Sequence, residues 1–291
     1  MKLKKKGIEP FLKWAGGKRQ LLPEIEKLLT KDIRSMVYYE PFIGGGALLF
    51  HLRPAKAVIN DLNPELVNTY RIIKEHPKEL IAELLEHESK NNEEYFYHIR
   101  SLDRNPGLPT LTDIQRAARV IYLNKTCYNG LYRVNASGFM NTPYGRYKKP
   151  NIANTEVIEA VSEFLNESDI LMLSADYEEV LRDLPPNAFV YLDPPYHPLS
   201  DSSSFTTYVK GGWTETDQLR LRDVCRSLDN RKIHFMLSNS STDFIRDIYS
   251  EFNIHTVKAT RMINSKGSGR SHVSELIIIN YNPPETIFVH R

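Results

Sequence analysis

Four consecutive residues, Asp193, Pro194, Pro195 and Tyr196, combine an acid, two prolines and an aromatic ring. They directly follow the apolar run 189–192, which is typical of a buried strand. An exocyclic amine of adenine or cytosine is a poor nucleophile because its lone pair is delocalised into the ring. The Asp193 carboxylate and a proline carbonyl could accept the two amine hydrogens, while the Tyr196 ring stacks on a base that has left the double helix. Asp193, Pro194 and Tyr196 are therefore candidate catalytic residues, although two prolines can also simply end a strand.

A glycine loop lies much earlier in the chain, in the run 40–46, and a helix is predicted directly after it. Asp61 follows Gly44 by 17 residues and ends the next apolar run. This is close to the spacing at which an acid accepts hydrogen bonds from a ribose diol. A nicotinamide dinucleotide is one ligand for such a loop, but its glycine pattern requires glycine at position 49, where Leu49 stands. The pattern favours a nucleoside without a pyrophosphate.

Strands and helices alternate through most of the sequence. Short apolar runs predict β-strands at 36–39, 57–61, 170–173, 189–192, 233–237, 254–257 and 276–279. Helical periodicity is found at 154–165, 177–183, 215–228 and 241–250, and Pro64 with Asn63 as its N-cap begins another helix. This alternation predicts an α/β fold with a mostly parallel sheet covered by helices on both faces.

The middle of the chain has a different pattern. Three helices are predicted at 78–88, 93–104 and 113–126, with no strand between them. They are followed by Asn129-Gly130, a type I′ turn signal, and by the runs 131–135 and 139–142, which predict a β-hairpin. We expect a discontinuous catalytic domain, 1–75 and 155–291, interrupted by a target-recognition domain at 76–154.

The charge distribution points to a polyanionic partner. The whole chain has 38 basic and 36 acidic residues, a net charge of +2, yet residues 114–155 contain seven basic residues and no acid. Aromatic residues interleave with these charges, as in surfaces that grip nucleic acid, although a solvated basic face is the alternative. A second stretch without acids, 252–274, contains the Gly/Ser-rich segment 264–271, which is predicted to be a mobile loop.

Composition excludes several classes of protein. The mean hydropathy is −0.42 and no apolar run approaches the roughly 18 residues of a membrane span, so no membrane association is expected. The basic start, 1–6, does not lead into the apolar core of a signal peptide, and we therefore expect a cytoplasmic protein. Two cysteines exclude a disulfide scaffold and are interpreted as buried apolar residues, and the nine histidines show no metal-binding spacing, so no metal is expected.

Several motifs, taken in order, resemble the Dam-type DNA adenine-N6 methyltransferases, and the resemblance extends over about residues 10–281. The motifs are Lys13-Trp-Ala-Gly-Gly-Lys18, Glu40-Pro-Phe-Ile-Gly-Gly-Gly46, Asn60-Asp61, Asn129-Gly-Leu-Tyr-Arg133, Pro143-Tyr-Gly-Arg-Tyr-Lys148 and Asp193-Pro-Pro-Tyr196. The resemblance implies a Rossmann-like methyltransferase sheet with a mainly helical, hairpin-bearing DNA-recognition insert, and S-adenosyl-L-methionine as cofactor. The implied cofactor-binding residues are Trp14, Lys18, Phe42, Gly44, Gly46, Asp61, Asp176 and Asp193.

The same resemblance implies that the insert binds double-stranded DNA and reads or wedges the bases of a GATC site. The residues expected to face DNA are Lys13, Tyr128, Asn129, Leu131, Arg133 and Pro143, joined by the basic side chains Arg146 and Lys148. An RNA base or a protein amide is an alternative acceptor, and a non-catalytic DNA-binding protein is a third interpretation. A restriction endonuclease is a candidate partner of such an enzyme, beside solitary and phage roles.

Overall fold

A computed structural model describes residues 8–14, 16–104, 110–135, 137–199, 212–260 and 272–284. Seven strands form one sheet, and all seven were predicted from the sequence. They are β1 Val37–Glu40, β2 Lys56–Asn60, β3 Asp169–Leu173, β4 Ala188–Leu192, β5 His234–Ser240, β6 Asn253–Thr260 and β7 His272–Ile279. The Gly/Ser-rich segment 264–271 lies outside the described residues.

The sheet has the strand order β3-β2-β1-β4-β5-β7-β6. β1 to β5 pair in parallel, whereas β7 runs antiparallel to both of its neighbours, β5 and β6. The predicted mostly parallel sheet is confirmed. The direction of winding reverses between β1 and β4, which is the position where open α/β sheets bind their ligands, beyond the carboxyl ends of the strands.

Helices cover both faces of the sheet, because alternate side chains of each strand point to opposite faces. These helices are α1 Leu22–Leu28, α2 Ala47–Leu52, α3 Pro64–Glu75, α7 Thr155–Glu167, α8 Tyr177–Val180, α9 Glu215–Asn230 and α10 Asp243–Ile248. Phe189 and Tyr191 belong to the apolar core on one face, and Val190 and Phe235 to the core on the other. As predicted, the Asn63 side chain caps α3 by accepting from the backbone N–H groups of Glu65 and Leu66.

The three helices predicted in the middle of the chain are α4 Pro77–Lys90, α5 Glu93–Ser101 and α6 Asp113–Thr126. Leu84 of α4, Phe96 of α5 and Val120 of α6 are buried in the same apolar core that contains α2 and α3. The insert is therefore packed onto the sheet domain. Among the helices of the described ranges, none has the length and apolar composition of a membrane crossing.

The predicted hairpin follows α6, and the chain reverses between the two predicted arms, 131–135 and 139–142. The arms meet where the Asn141 N–H donates to the Arg133 carbonyl (2.9 Å) and the Asn135 N–H donates to the Phe139 carbonyl (2.8 Å). The chain therefore reverses at 135–138. Asn129 and Gly130 do adopt the positive φ values of a type I′ turn, 58° and 66°, but they bend the chain before the first arm.

Candidate active site

Asp193 lies directly beyond the carboxyl end of β4. One of its carboxylate oxygens is 2.7 Å from the Lys18 ammonium and accepts a hydrogen bond from the Ser238 hydroxyl at 3.0 Å. Lys18 is only 5% exposed, and its ammonium also donates to the Gly16 carbonyl. Burial raises the pKa of Asp193, and the contacts with Lys18 and Ser238 oppose that rise. The ion pair thus favours an ionised carboxylate at a position where burial alone would favour the neutral acid.

The Tyr196 side chain is held by a hydrogen bond from its hydroxyl and by a lysine that lies over its ring. Its hydroxyl donates to the carboxylate of Glu275 in β7 at 2.9 Å, and the Lys18 ammonium lies 4.6 Å from the ring centroid. Glu275 is buried. A ring held in this way can present a flat surface to a base. Sequence reasoning missed Glu275, because the contact joins residues 79 positions apart.

The two proline carbonyls of the motif differ. The Pro195 carbonyl accepts a hydrogen bond from the Gln218 side chain in α9 at 3.0 Å. None of the residues within the described ranges donates to the Pro194 carbonyl. A substrate amine could therefore find its second acceptor at Pro194, the proline among the candidate catalytic residues.

Polar residues at the end of β5 also contact this motif. Ser238 reaches Asp193, the Asn239 side chain accepts from the His197 N–H at 3.1 Å, and the Ser240 hydroxyl donates to the His197 carbonyl at 2.6 Å. The predicted strand ended at position 237 and left these residues out. The signal that could have found them is a polar triplet directly after an apolar strand, as at Asp61 and Asp193.

The glycine loop joins β1 to α2 and is shaped by the side chains beneath it. Gly44 and Gly46 have φ values of 47° and 67°. A Cβ on Gly44 would lie 2.8 Å from the Trp14 ring, and one on Gly46 would lie 2.6 Å from the Tyr70 hydroxyl. Larger residues would force the loop out of place. Trp14 therefore contacts the loop directly, and its contact with a cofactor stays a prediction.

Asp61, directly after β2, faces the same loop. One carboxylate oxygen accepts from the Gly44 N–H at 3.2 Å and the other from the Asn63 N–H at 2.9 Å. Each oxygen has a second lone pair, so the carboxylate can still accept from the two hydroxyls of a ribose. Burial raises the pKa of Asp61 to about 6, partly offset by the two N–H groups. This chemistry fits a nucleoside, including that of S-adenosyl-L-methionine.

Asp176 and Phe42 lie beside an aromatic cluster. The Phe42 ring is 5.2 Å from that of Tyr177 and 5.7 Å from that of Trp213, between centroids. The Asp176 carboxylate caps α8 and pairs with Arg220 at 2.9 Å. Asp176 is therefore already engaged, and its contact with a cofactor stays a prediction. Within the described ranges, no group of three or more His, Cys, Asp or Glu side chains is arranged to bind a metal.

The hairpin region presents most of the residues expected to face DNA. Tyr128 is 51% exposed, and Lys13, Pro143, Arg146 and Lys148 are also exposed, whereas Asn129, Leu131 and Arg133 are partly buried. The Nε atom of Arg133 donates to the Asn141 side chain of the opposite arm at 3.1 Å. Its two terminal nitrogens have no partner among the described residues, so the guanidinium end can contact a base or phosphate.

Part of the basic and aromatic stretch 114–155 is structural. Arg119 is 2% exposed and pairs with Asp103 at 3.1 Å, and Arg116 pairs with Glu65. Two of its tyrosines, Tyr122 and Tyr132, are buried in the core. The sequence-based interpretation of the whole stretch as a nucleic-acid surface is therefore too broad, because acids outside the stretch pair with Arg116 and Arg119, and Glu93 pairs with Arg146 at 3.2 Å.

The insert touches the cofactor loop through Trp14. The Tyr132 ring stacks on the Trp14 ring, with centroids 5.7 Å apart and planes at 16°. The Asn124 side chain of α6 also accepts from the Lys13 N–H and donates to the Lys13 carbonyl, both at 2.9 Å. The hairpin and the glycine loop are thus linked through Trp14, which contacts both.

Comparison with known proteins agrees with this geometry. Residues 14–263 match the family described as D12 class N6 adenine-specific DNA methyltransferase. The type II methyltransferase M1.LlaDCHI of Lactococcus lactis subsp. cremoris is 46% identical over 274 residues, covering 94% of this chain and 96% of its own. The type II methyltransferase M.MjaIII of Methanocaldococcus jannaschii is 43% identical, with 94% and 99% covered.

A third relative carries a different name. It is the DNA adenine methylase of Vibrio cholerae serotype O1, 34% identical over 279 residues, with 92% of this chain and 95% of the relative covered. The match extends through the glycine loop, the insert and the Asp193 motif, and the sheet is that of a Rossmann-like methyltransferase. The chain belongs to the D12 class of N6 adenine-specific DNA methyltransferases.

Proposed function

We propose that this enzyme transfers a methyl group from S-adenosyl-L-methionine to N6 of an adenine that has been flipped out of duplex DNA, within the sequence GATC. The observation that carries the proposal is the Asp193 carboxylate, held by Lys18 and Ser238 beside the Tyr196 ring and the Pro194 carbonyl, which accepts from none of the described residues. These groups form one acceptor set for a planar amine. The GATC site is supported by the DNA adenine methylases among the relatives.

In this proposal, Asp193 and Pro194 act by hydrogen bonding. Each accepts one hydrogen of the adenine amine, which draws the nitrogen toward a tetrahedral geometry and directs its lone pair at the donor. The proton can leave after methyl transfer, so no strong general base is required. Tyr196 stacks on the extruded adenine and holds its plane.

The cofactor site is formed by the glycine loop and the acids around it. S-adenosyl-L-methionine supplies an electrophilic methyl group attached to a positively charged sulfur. Asp61 binds the ribose hydroxyls, Phe42 contributes an aromatic wall, and the glycines let the loop pass close to Trp14. The buried Lys18 ammonium pairs with Asp193. It can also pair with the carboxylate of the cofactor.

The DNA side is formed by residues 76–154, which we propose as the target-recognition domain. Tyr128, Arg133 and Pro143 lie in the hairpin region, and Arg146 and Lys148 are exposed after its second arm. A protruding hairpin fits the major groove, where an arginine fork can read guanine. A restriction endonuclease with the same site is the partner we propose, because two relatives are named type II methyltransferases.

The test is transfer of labelled methyl groups to a GATC duplex, with nuclease digestion and mass spectrometry of the products. We expect N6-methyladenine in the GATC duplex, and no transfer to a duplex already methylated at that adenine or to an RNA of the same sequence. Label on cytosine, RNA or protein would contradict the proposal. Methylation of adenine outside GATC would contradict only the proposed recognition sequence, and not the adenine methylation itself.

A further inference from the structure

Four buried polar residues surround the backbone of the Asp193–His197 segment. Gln218 of α9 and Ser238, Asn239 and Ser240 of β5 are each no more than 1% exposed. Burying amides and hydroxyls costs free energy unless each finds a partner. All four find partners in this segment or in one another, so they connect the catalytic motif to two rigid elements.

The hydrogen bonds form a chain with a defined direction. The backbone N–H groups of His197 and Ser240 both donate to the Asn239 Oδ1, at 3.1 and 2.8 Å. This fixes which way the Asn239 amide faces, because backbone donors cannot exchange roles. Its Nδ2 must then donate to the Gln218 Oε1, at 3.0 Å.

The same constraint passes to Gln218. With its oxygen occupied by Asn239, the amide nitrogen of Gln218 is turned toward the Pro195 carbonyl, to which it donates at 3.0 Å. The Pro195 carbonyl is therefore occupied before any substrate arrives. The neighbouring Pro194 carbonyl stays available.

We propose that Gln218 and Asn239 are positioning residues that reserve the Pro194 carbonyl for the substrate amine by holding the Pro195 carbonyl in a fixed hydrogen bond. This inference rests on the proposed function, because it assumes that Asp193 and Pro194 receive the adenine amine. The two amides touch neither substrate nor cofactor in this role. They set the peptide orientation on which the reacting geometry depends.

The test uses Gln218→Met, which keeps the length of the side chain and removes both hydrogen bonds. We expect the single-turnover rate of methyl transfer to fall about 10- to 100-fold, the range for a small misplacement of reacting groups. Dissociation constants for S-adenosyl-L-methionine and for the GATC duplex should stay within about twofold of wild type, because neither ligand contacts Gln218.

A second variant tests the direction of the hydrogen bonds that run from Asn239 through Gln218 to Pro195. Asn239→Asp keeps an acceptor for the two backbone N–H groups but replaces the Nδ2 donor by an oxygen. Gln218 should then turn its nitrogen toward residue 239 and its oxygen toward Pro195, so the rate should fall by about the same factor. This variant also keeps the proposal testable if Gln218→Met does not fold.

The matched control is Asn68→Leu. Asn68 is a buried amide in α3 whose Nδ2 donates to the Asp113 carbonyl at 2.9 Å, so its loss should cost stability without changing the single-turnover rate. A folded Gln218→Met or Asn239→Asp enzyme with a wild-type rate would overturn the positioning role. A loss of rate matched by equal losses of affinity for both ligands would also overturn it. A wild-type enzyme without adenine methylation would instead contradict the proposed function.

Discussion

Asp193 neutralises a buried lysine, in addition to its proposed contact with the substrate. Lys18 is 5% exposed and its ammonium lies 2.7 Å from the Asp193 carboxylate. Asp193→Asn should abolish methyl transfer and also lower the free energy of unfolding by about 3 kcal/mol, because a buried cation loses its counterion. Denaturant unfolding and labelled-methyl transfer measure the two effects separately.

The double variant Lys18→Met with Asp193→Asn separates these roles. Removing both charges should restore much of the stability, because no unpaired charge remains buried. Methyl transfer should stay absent. Recovery of activity in the double variant would show that Asp193 serves only to neutralise Lys18.

Tyr196 contributes a ring and a hydroxyl with different effects. Tyr196→Phe keeps the stacking surface but leaves the buried Glu275 carboxylate without its donor, at a cost of about 1–3 kcal/mol. We expect partial activity for Tyr196→Phe and little for Tyr196→Ala, because stacking requires the ring. Equal single-turnover rates for the two variants would refute the stacking role.

Asp61 should make cofactor binding depend on pH. Its pKa is raised to about 6 by burial, so below that pH the carboxyl is protonated and has lost acceptor capacity. Affinity for S-adenosyl-L-methionine should rise between about pH 5 and pH 7 and then level off. In calorimetric titrations, Asp61→Asn should weaken binding at neutral pH by about 1.5–3 kcal/mol and flatten this dependence. An identical pH dependence in the variant would exclude Asp61 as its source.

At the scale of elements, the hairpin that follows α6 contains one anchored arginine, and exposed lysines follow its second arm. Arg133 is held by Asn141 across the arms, whereas Lys148 lies free on the surface. Base-edge contacts set sequence preference and phosphate contacts set overall affinity. We therefore expect Arg133→Ala to relax discrimination at one guanine-containing pair by about 1–3 kcal/mol, and Lys148→Ala to lower the salt-dependence slope by about one unit.

The measurement compares methylation of GATC and its single-base variants, together with DNA binding at several salt concentrations. Each variant serves as the control of the other, because both remove one positive charge from the same surface. A uniform loss of affinity in Arg133→Ala, with the ranking of sites unchanged, would make that arginine a phosphate contact.

At the scale of the whole molecule, the insert and the cofactor loop share the stack of Tyr132 on Trp14. Tyr132→Leu keeps an apolar side chain in the core but removes the stack, so affinity for S-adenosyl-L-methionine should fall by about 0.5–1.5 kcal/mol although Tyr132 belongs to the proposed recognition domain, 76–154. Tyr147→Leu, a change at an exposed tyrosine of the same region, should leave that affinity unchanged. Calorimetric titration without DNA tests both, and equal affinities in the two variants would show that the stack does not support the cofactor site.

The sequence by itself predicted the strands and helices and the candidate catalytic and cofactor-binding residues. Apolar runs predicted all seven strands of the described residues, because each strand of the sheet buries apolar side chains on at least one face. Asp61 and Asp193 were found because an acid directly after such a run lies at the edge of the sheet where ligands bind. An acid directly after an apolar run is a pattern of consecutive residues, and so the sequence alone predicts it.

Only the tertiary structure decided which groups act together. Lys18 meets Asp193, Glu275 meets Tyr196, and Asn239 is linked to the Pro195 carbonyl through Gln218, across separations that no local pattern encodes. The tertiary structure also decided which basic residues of 114–155 are paired. Asp103 and Glu65, from other segments of the sequence, pair with Arg119 and Arg116. The physical reason is that hydrogen bonds and ion pairs depend on distances of a few ångströms, and packing of the sheet and helices sets those distances.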